Sequence, residues 1–133
     1  MVFELHPQLA ADTTVITEWS LSSVLLMNDS RYPWLILVPR IAGMRDLIDL
    51  SPAHYTELTG EIDRASRALK TLFTPHKLNI AALGNIVEQL HVHVIARQTE
   101  DDAWPAPVWG KHPALPYGED TRNRMIEQLL SVL

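Results

Sequence analysis

The chain has 133 residues, 47% of them hydrophobic, which is enough for one compact domain over residues 1–133 with a real core. The absence of cysteine excludes disulfides, thiolate metal sites and a cysteine nucleophile, and a formal net charge of -5 argues against an extended nucleic-acid-binding surface while allowing a small anionic ligand. No leader-like start and no apolar run of roughly 20 residues is visible, so we expect a cytoplasmic protein without a membrane span.

The first part of the chain predicts a short helical turn followed by three strands. The turn is expected in LHPQLAADT, around Leu9. Two β-rich or apolar runs, TVITEWS and LSSVLLMND, can pair as a hairpin, and PWLILVPR is a third run bounded by prolines. The pattern therefore predicts a three-strand meander.

The clearest helix is predicted from Ser51 to Phe73. Ser51 suits the N-cap and Pro52 the first turn, while Thr74-Pro75 ends the helix. Apolar residues recur at helical spacing and form one face: Leu58, Ile62, Ala65, Leu69 and Leu72.

Two further strands and a last helix are predicted downstream. KLNIAAL and QLHVHVIAR read as strands joined through Gly84-Asn85, a dipeptide that favours a tight turn or loop. The tail DTRNRMIEQLLSVL predicts a helix with its apolar side at Met125, Ile126, Leu129 and Leu130. The fold class predicted is α+β, with an antiparallel sheet of about five strands, one long helix and a C-terminal helix.

Two histidines stand one residue apart in the last predicted strand. Alternation sends His91 and His93 to one face, with Gln89 on the same side. Three interpretations are open: two polar residues on a half-exposed strand face, a metal site, or nucleophilic catalysis by a neutral imidazole. Two ligands are too few for a closed zinc site and the other histidines add no ligand motif, so no metal is predicted.

The segment Gln89-Leu90-His91-Val92-His93-Val94-Ile95 resembles the active-site strand of the histidine-triad (HIT) superfamily, whose motif is His-φ-His-φ-His-φ-φ with φ apolar. The middle and last histidines match, and the first is replaced by glutamine. The resemblance extends over roughly residues 20 to 98. The chain is similar to small bacterial HIT-domain proteins, here with a Q-x-H-x-H-x-x variant of the motif.

The resemblance implies a nucleotide hydrolase or nucleotidyltransferase acting at an α-phosphate through a nucleotidyl-histidine intermediate, with no cofactor. It implies His91 as nucleophile and His93 as phosphate contact or leaving-group assistant, and acid–base help would fall to His93. Gln89 would position the neighbouring ring or a phosphate oxygen through its amide. Four residues are placed by the resemblance, or by their turn, at nucleoside and phosphate contacts: Asn28, Asn79, Gly84 and Asn85.

The replacement of the first histidine keeps an alternative open, namely a nucleotide-binding regulatory module with weak or no turnover. The resemblance also implies a homodimer, with part of the Trp-rich segment DDAWPAPVWG at or near the interface. Arg97 and Lys111 are expected to be surface charges by default.

Overall fold

The computed structural model describes residues 1–133, and its centre is a five-stranded antiparallel sheet. The strand order is β1-β2-β3-β5-β4, so the predicted meander of the first three strands is confirmed and β5 lies between β3 and β4. The strands are β1 Thr13–Glu18, β2 Ser22–Met27, β3 Trp34–Pro39, β4 Lys77–Ala81 and β5 Val92–Arg97. The predicted α+β class with an antiparallel sheet is confirmed.

Three helices accompany the sheet: α1 Pro7–Asp12, α2 Pro52–Phe73 and α3 Glu119–Leu130. Ser51 caps α2 as predicted, since its hydroxyl oxygen accepts a hydrogen bond from the backbone N–H of His54 at 3.2 Å. The helix ends at Thr74, which adopts the left-handed conformation with φ 41°. None of the three helices combines the length and the apolar character needed to cross a bilayer.

The two faces of the sheet are buried against different parts of the chain. One face packs against α2 and α3 through apolar residues of the strands and helices: Val24, Leu26, Leu35, Leu37, Ala65, Leu69, Val94, Ala96 and Leu129. The opposite face packs against α1 and the Trp-rich segment: Leu9, Leu25, Trp34, Ile36, Val38, Ile95, Ala103 and Val108. The histidines of the motif lie on this second face, because His93 alternates with Val94 and stands opposite Ile36.

Three expectations about the periphery of the fold are wrong. Leu130 is 46% exposed rather than part of the apolar side of α3, because only Leu129 of that pair turns toward the core. The last strand begins at Val92, so Gln89 precedes it. Arg97 is 1% exposed rather than a surface charge, because Asp101 pairs with its guanidinium at 2.8 Å from the following loop.

The Trp-rich segment is part of the protein's own core. Ala103 and Val108 are buried in the same apolar cluster as Trp34, and Trp109 packs against that cluster. Trp104 stands edge-on to His76, with the two ring centroids 5.3 Å apart. The segment therefore covers the face of the sheet that carries the histidines.

Candidate active site

His91 stands directly before β5 and is held by its own chain. Its Nδ1 lies 2.7 Å from the backbone oxygen of Gln89. A carbonyl oxygen can only accept, so Nδ1 carries a proton, and in the neutral ring Nε2 keeps a free lone pair. The neutral ring thus has an unprotonated Nε2. An unprotonated ring nitrogen is the group of a histidine that attacks an electrophile.

His93 is held in the opposite tautomer by an indole. Trp34, on the neighbouring strand β3, donates from Nε1 to His93 Nδ1 at 3.0 Å. An indole N–H can only donate, so the proton of the neutral His93 ring is on Nε2. Burial, and to a smaller extent the charge of a protonated His91 beside it, lowers the pKa of His93 to about 3.

The two imidazoles are neighbours, with ring centroids 4.9 Å apart. The interpretation that places them on a half-exposed strand face is wrong, because each residue is only 7% exposed. Trp109 covers His93 edge-on, its ring centroid 5.1 Å away. With its pKa lowered to about 3, His93 is a neutral imidazole near pH 7.

A cavity of about 390 Å³ opens beside the two histidines. Its wall combines α1, the start of β1, strand β3, the loop before β5 and Trp109, and its lining is predominantly apolar. The residues that line it are Gln8, Leu9, Asp12, Thr13, Met27, Trp34, Ile36, Leu83, Gly84, Asn85, Ile86, Val87, His91, His93 and Trp109. An apolar wall with two imidazoles at one side suits a flat, partly apolar ligand that carries an anionic group.

A second cavity of about 350 Å³ adjoins the first and shares Leu83, Gly84 and His91 with it. Arg45 and Asp46 line this cavity, and Arg45 forms an exposed ion pair with Glu88 at 3.2 Å. His91 therefore borders two spaces, one mainly apolar and one with charged residues at its edge. A ligand whose two parts differ in polarity could occupy both.

The loop between β4 and β5 brings backbone amides to the same place. Gly84 has φ +77°, a conformation that other residues adopt only with strain, so glycine is required at this bend. No backbone amide from Gly84 to Glu88 donates a hydrogen bond within the chain. Gly84 and Asn85 both line the first cavity with His91, where the resemblance and the turn pattern placed them.

The other predicted contacts lie elsewhere. The side-chain oxygen of Asn28 accepts from the backbone N–H of Tyr117 at 2.9 Å, and that of Asn79 accepts from Arg97 Nη1 at 2.8 Å. Neither residue lines either cavity. These two residues are not brought together with His91 in this structure.

Gln89 lies in the site but not in the predicted manner. Its side chain bonds to backbone atoms of the N-terminal segment at Glu4 and His6, and not to the His91 ring. It orients His91 through its backbone oxygen instead. The expected amide contact to the ring is therefore wrong, since both polar atoms of the amide already have partners.

Sequence reasoning missed Trp34 as a functional residue. In the sequence it is one apolar residue of a strand, and nothing nearby marks it as the partner of a histidine 59 positions later. The pairing of β3 with β5 brings the two together, because Trp34 stands opposite Ile95, two residues from His93. The structure contains no group of three or more histidine, aspartate or glutamate side chains placed to hold a metal ion.

The fold and the site define a class: an α+β domain whose antiparallel sheet presents a histidine with a free Nε2 beside an apolar cavity and a glycine loop. The family model described as HIT domain matches residues 8–100. The chain belongs to the HIT family, and the resemblance seen in the sequence is confirmed.

Solved structures similar to this chain extend over nearly all of it. A histidine triad protein from Bradyrhizobium japonicum is 46% identical, with a TM-score of 0.96 and coverage of 99% of this chain and 98% of that one. One from Marinobacter aquaeolei VT8 is 45% identical, with a TM-score of 0.98 and coverage of 100% and 97%.

A curated relative, the AP-4-A phosphorylase of Mycobacterium tuberculosis, is 32% identical over 104 residues, which are 69% of this chain. The matched region is 52% of that relative, so the chain spans about half the length of the curated protein it matches.

Proposed function

We propose that this protein is a nucleotide hydrolase or nucleotidyltransferase that attacks the α-phosphate of a nucleotide conjugate with His91. The observation that carries the proposal is the 2.7 Å bond from His91 Nδ1 to the Gln89 backbone oxygen, which makes Nε2 the unprotonated nitrogen of the neutral ring in a residue that lines two cavities. The apolar cavity would take the nucleoside. The neighbouring cavity would take part of the leaving group.

The proposed step forms a bond between His91 Nε2 and the α-phosphorus, and it breaks the bond from phosphorus to the leaving group, which departs with the electron pair. The imidazole ring becomes cationic as this bond forms. Its Nδ1–H bond to the Gln89 oxygen then strengthens, because a charged donor makes a stronger hydrogen bond than a neutral one. The contact thus stabilises the transition state more than the ground state. Water or another acceptor attacks next, loses a proton to solvent, and releases the His91 ring.

His93 supports this step as a neutral donor. Its Nε2–H is available for a hydrogen bond because Trp34 occupies Nδ1. Complete loss of that proton would leave an anionic ring, so His93 stabilises charge rather than protonating a leaving group. Backbone amides of the loop at Gly84 and Asn85 can add donors to the same phosphate oxygens.

Because His93 has no extra proton to give to a leaving group, the site favours leaving groups that are stable as anions. A phosphoanhydride releases such an anion, whereas a phosphoramidate releases an amine that needs a proton. We therefore propose a dinucleoside polyphosphate type of substrate over a phosphoramidate. The name of the Mycobacterium tuberculosis relative, an AP-4-A phosphorylase, is in line with this preference.

The test is covalent trapping at His91. Wild-type protein is incubated with diadenosine tetraphosphate or adenosine 5′-phosphoramidate, each labelled in the adenosine, and quenched in acid or base. An adduct that is acid-labile and base-stable is expected with the first compound and absent in His91→Ala. His54→Ala is the matched control, because His54 is exposed at the start of α2, outside both cavities.

The outcomes separate the two functional classes. Tight nucleotide binding with neither adduct nor turnover would favour the regulatory module. Faster turnover of the phosphoramidate would refute the substrate preference while leaving the nucleophile in place. The homodimer remains a prediction from the family, and a 15.0 kDa species in sedimentation at micromolar concentration would contradict it.

A further inference from the structure

The side chain of Gln89 joins the start of the catalytic strand to the N-terminal segment. Its Oε1 accepts from the backbone N–H of His6 at 2.9 Å, and its Nε2 donates to the backbone oxygen of Glu4 at 2.9 Å. The amide thus pairs with two backbone groups two residues apart, as the next strand of a sheet would. Each polar atom of the side chain thus makes one bond to this segment.

The segment held in this way leads directly into a wall of the apolar cavity. His6 is the N-cap of α1, and its imidazole accepts from the backbone N–H of Gln8 at 3.0 Å. Gln8, Leu9 and Asp12 of α1 line the cavity. A helix of six residues is too short to be stable by itself, so its position depends on the contacts at its two ends.

The chemistry of the amide explains why glutamine suits this position. An amide carries its donor and its acceptor on one carbon, as a peptide group does, and both can face the same segment of chain. The two nitrogens of an imidazole point in divergent directions. A protonated imidazole would also present a donor to the N–H of His6. Histidine at position 89 could therefore not make both bonds.

We propose that Gln89 is a positioning residue for substrate affinity. Its amide hydrogen-bonds to the segment Glu4–His6 and so holds α1 in place as a wall of the nucleotide cavity. This inference rests on the proposed function, because it takes the cavity to be the nucleotide site. The reacting nitrogen of His91 is held separately, by a backbone oxygen that every substitution at position 89 retains. Affinity should therefore respond to the side chain, and chemistry should not.

The experiment compares four single variants and two double variants by calorimetry with AMP and by kinetics with diadenosine tetraphosphate. Gln89→Ala removes both bonds, and His6→Pro removes the donor of one bond together with the imidazole, at a φ of -53° that proline accepts. His6→Ala is the matched control, since it keeps the N–H and loses only the imidazole. Gln98→Ala is the second control, because Gln98 makes one side-chain bond to the backbone oxygen of Phe73, outside both cavities.

We expect Gln89→Ala to raise the AMP Kd and the KM by about tenfold, the size expected when two neutral hydrogen bonds are lost, with kcat changed less than threefold. His6→Pro should weaken binding relative to His6→Ala. The double variant Gln89→Ala with His6→Pro should bind AMP no more weakly than the double variant Gln89→Ala with His6→Ala, because the His6 N–H has already lost its partner in both. Gln98→Ala should bind AMP as the wild type does.

Amide hydrogen exchange supplies a readout that does not depend on nucleotide or turnover. Exchange of residues 6–12 should be faster in Gln89→Ala than in wild type, and AMP should slow it. Faster exchange with an unchanged AMP Kd would overturn the proposal, because α1 would then not be part of the binding wall. Unchanged exchange would overturn it as well. Loss of the His91 adduct with an unchanged Kd would instead make Gln89 a reacting group. Absence of an adduct in the wild type would refute the proposed function alone, since AMP binding and amide hydrogen exchange still test the contact of Gln89 with the segment Glu4–His6.

Discussion

Substitution of Trp34 by phenylalanine tests how the tautomer of His93 is set. Trp34 is 5% exposed, and its indole N–H is the donor to His93 Nδ1 at 3.0 Å. Phenylalanine keeps an aromatic ring but leaves the Nδ1 acceptor unpaired in a buried place, which costs about 1–3 kcal/mol of unfolding free energy. Loss of a bond worth about 1 kcal/mol also lowers the ratio of the two His93 tautomers by about fivefold, so turnover should fall by less than that factor.

Trp109→Phe is the matched control for the loss of ring volume. Trp109 packs edge-on against the same histidine, but its indole N–H makes no hydrogen bond. Urea unfolding of both variants isolates the bond, with Trp34→Phe expected to be less stable by about 1–3 kcal/mol. Nitrogen-15 NMR should show His93 protonated at Nε2 in the wild type and in Trp109→Phe, and mixed tautomers in Trp34→Phe. A wild-type His93 protonated at Nδ1, or equal stability of the two variants, would refute the reasoning.

Three further predictions concern pH, a buried ion pair and the glycine loop. Burial lowers the pKa of His93 to about 3, so as the pH falls the unfolded chain binds a proton on His93 before the folded protein does. The contribution of the neutral His93 to the free energy of unfolding is therefore complete above about pH 6.5. It shrinks toward pH 3, by at most about 1.4 kcal/mol per pH unit. Urea titrations of wild type and His93→Gln should diverge in that window, and parallel curves would contradict the assignment. Arg97→Met should destabilise the fold by about 3–5 kcal/mol, because it leaves Asp101 buried without its partner. Arg67→Met, which breaks the exposed pair with Asp63, should cost less than about 1 kcal/mol. Equal shifts of the melting temperature in the two variants would refute this difference. Gly84→Ala should lower kcat/KM for diadenosine tetraphosphate more than Gly110→Ala does, since both glycines have positive φ but only Gly84 lines the cavities, and equal losses would count against a role for the loop.

Local patterns along the chain were sufficient for most of the secondary structure. Ser51 and Pro52 mark the start of α2, and apolar spacing marks its buried face. The alternation around His91 and His93 identified the side of the sheet on which the two imidazoles lie. Such features are determined by residues a few positions apart, because helix caps and strand alternation depend on neighbours in sequence.

The protonation and the surroundings of those histidines were decided by the tertiary structure. Trp34 reaches His93 only because β3 pairs with β5 in one register, and a shift by one residue would turn the indole to the other face. The partners of Gln89 lie 83 and 85 positions away, and their contact depends on how α1 docks. Arg97 is buried because the loop that follows it folds back with Asp101. Partners of this kind leave no periodic signal in the sequence, since the distance between them along the chain is set by the connections of the fold.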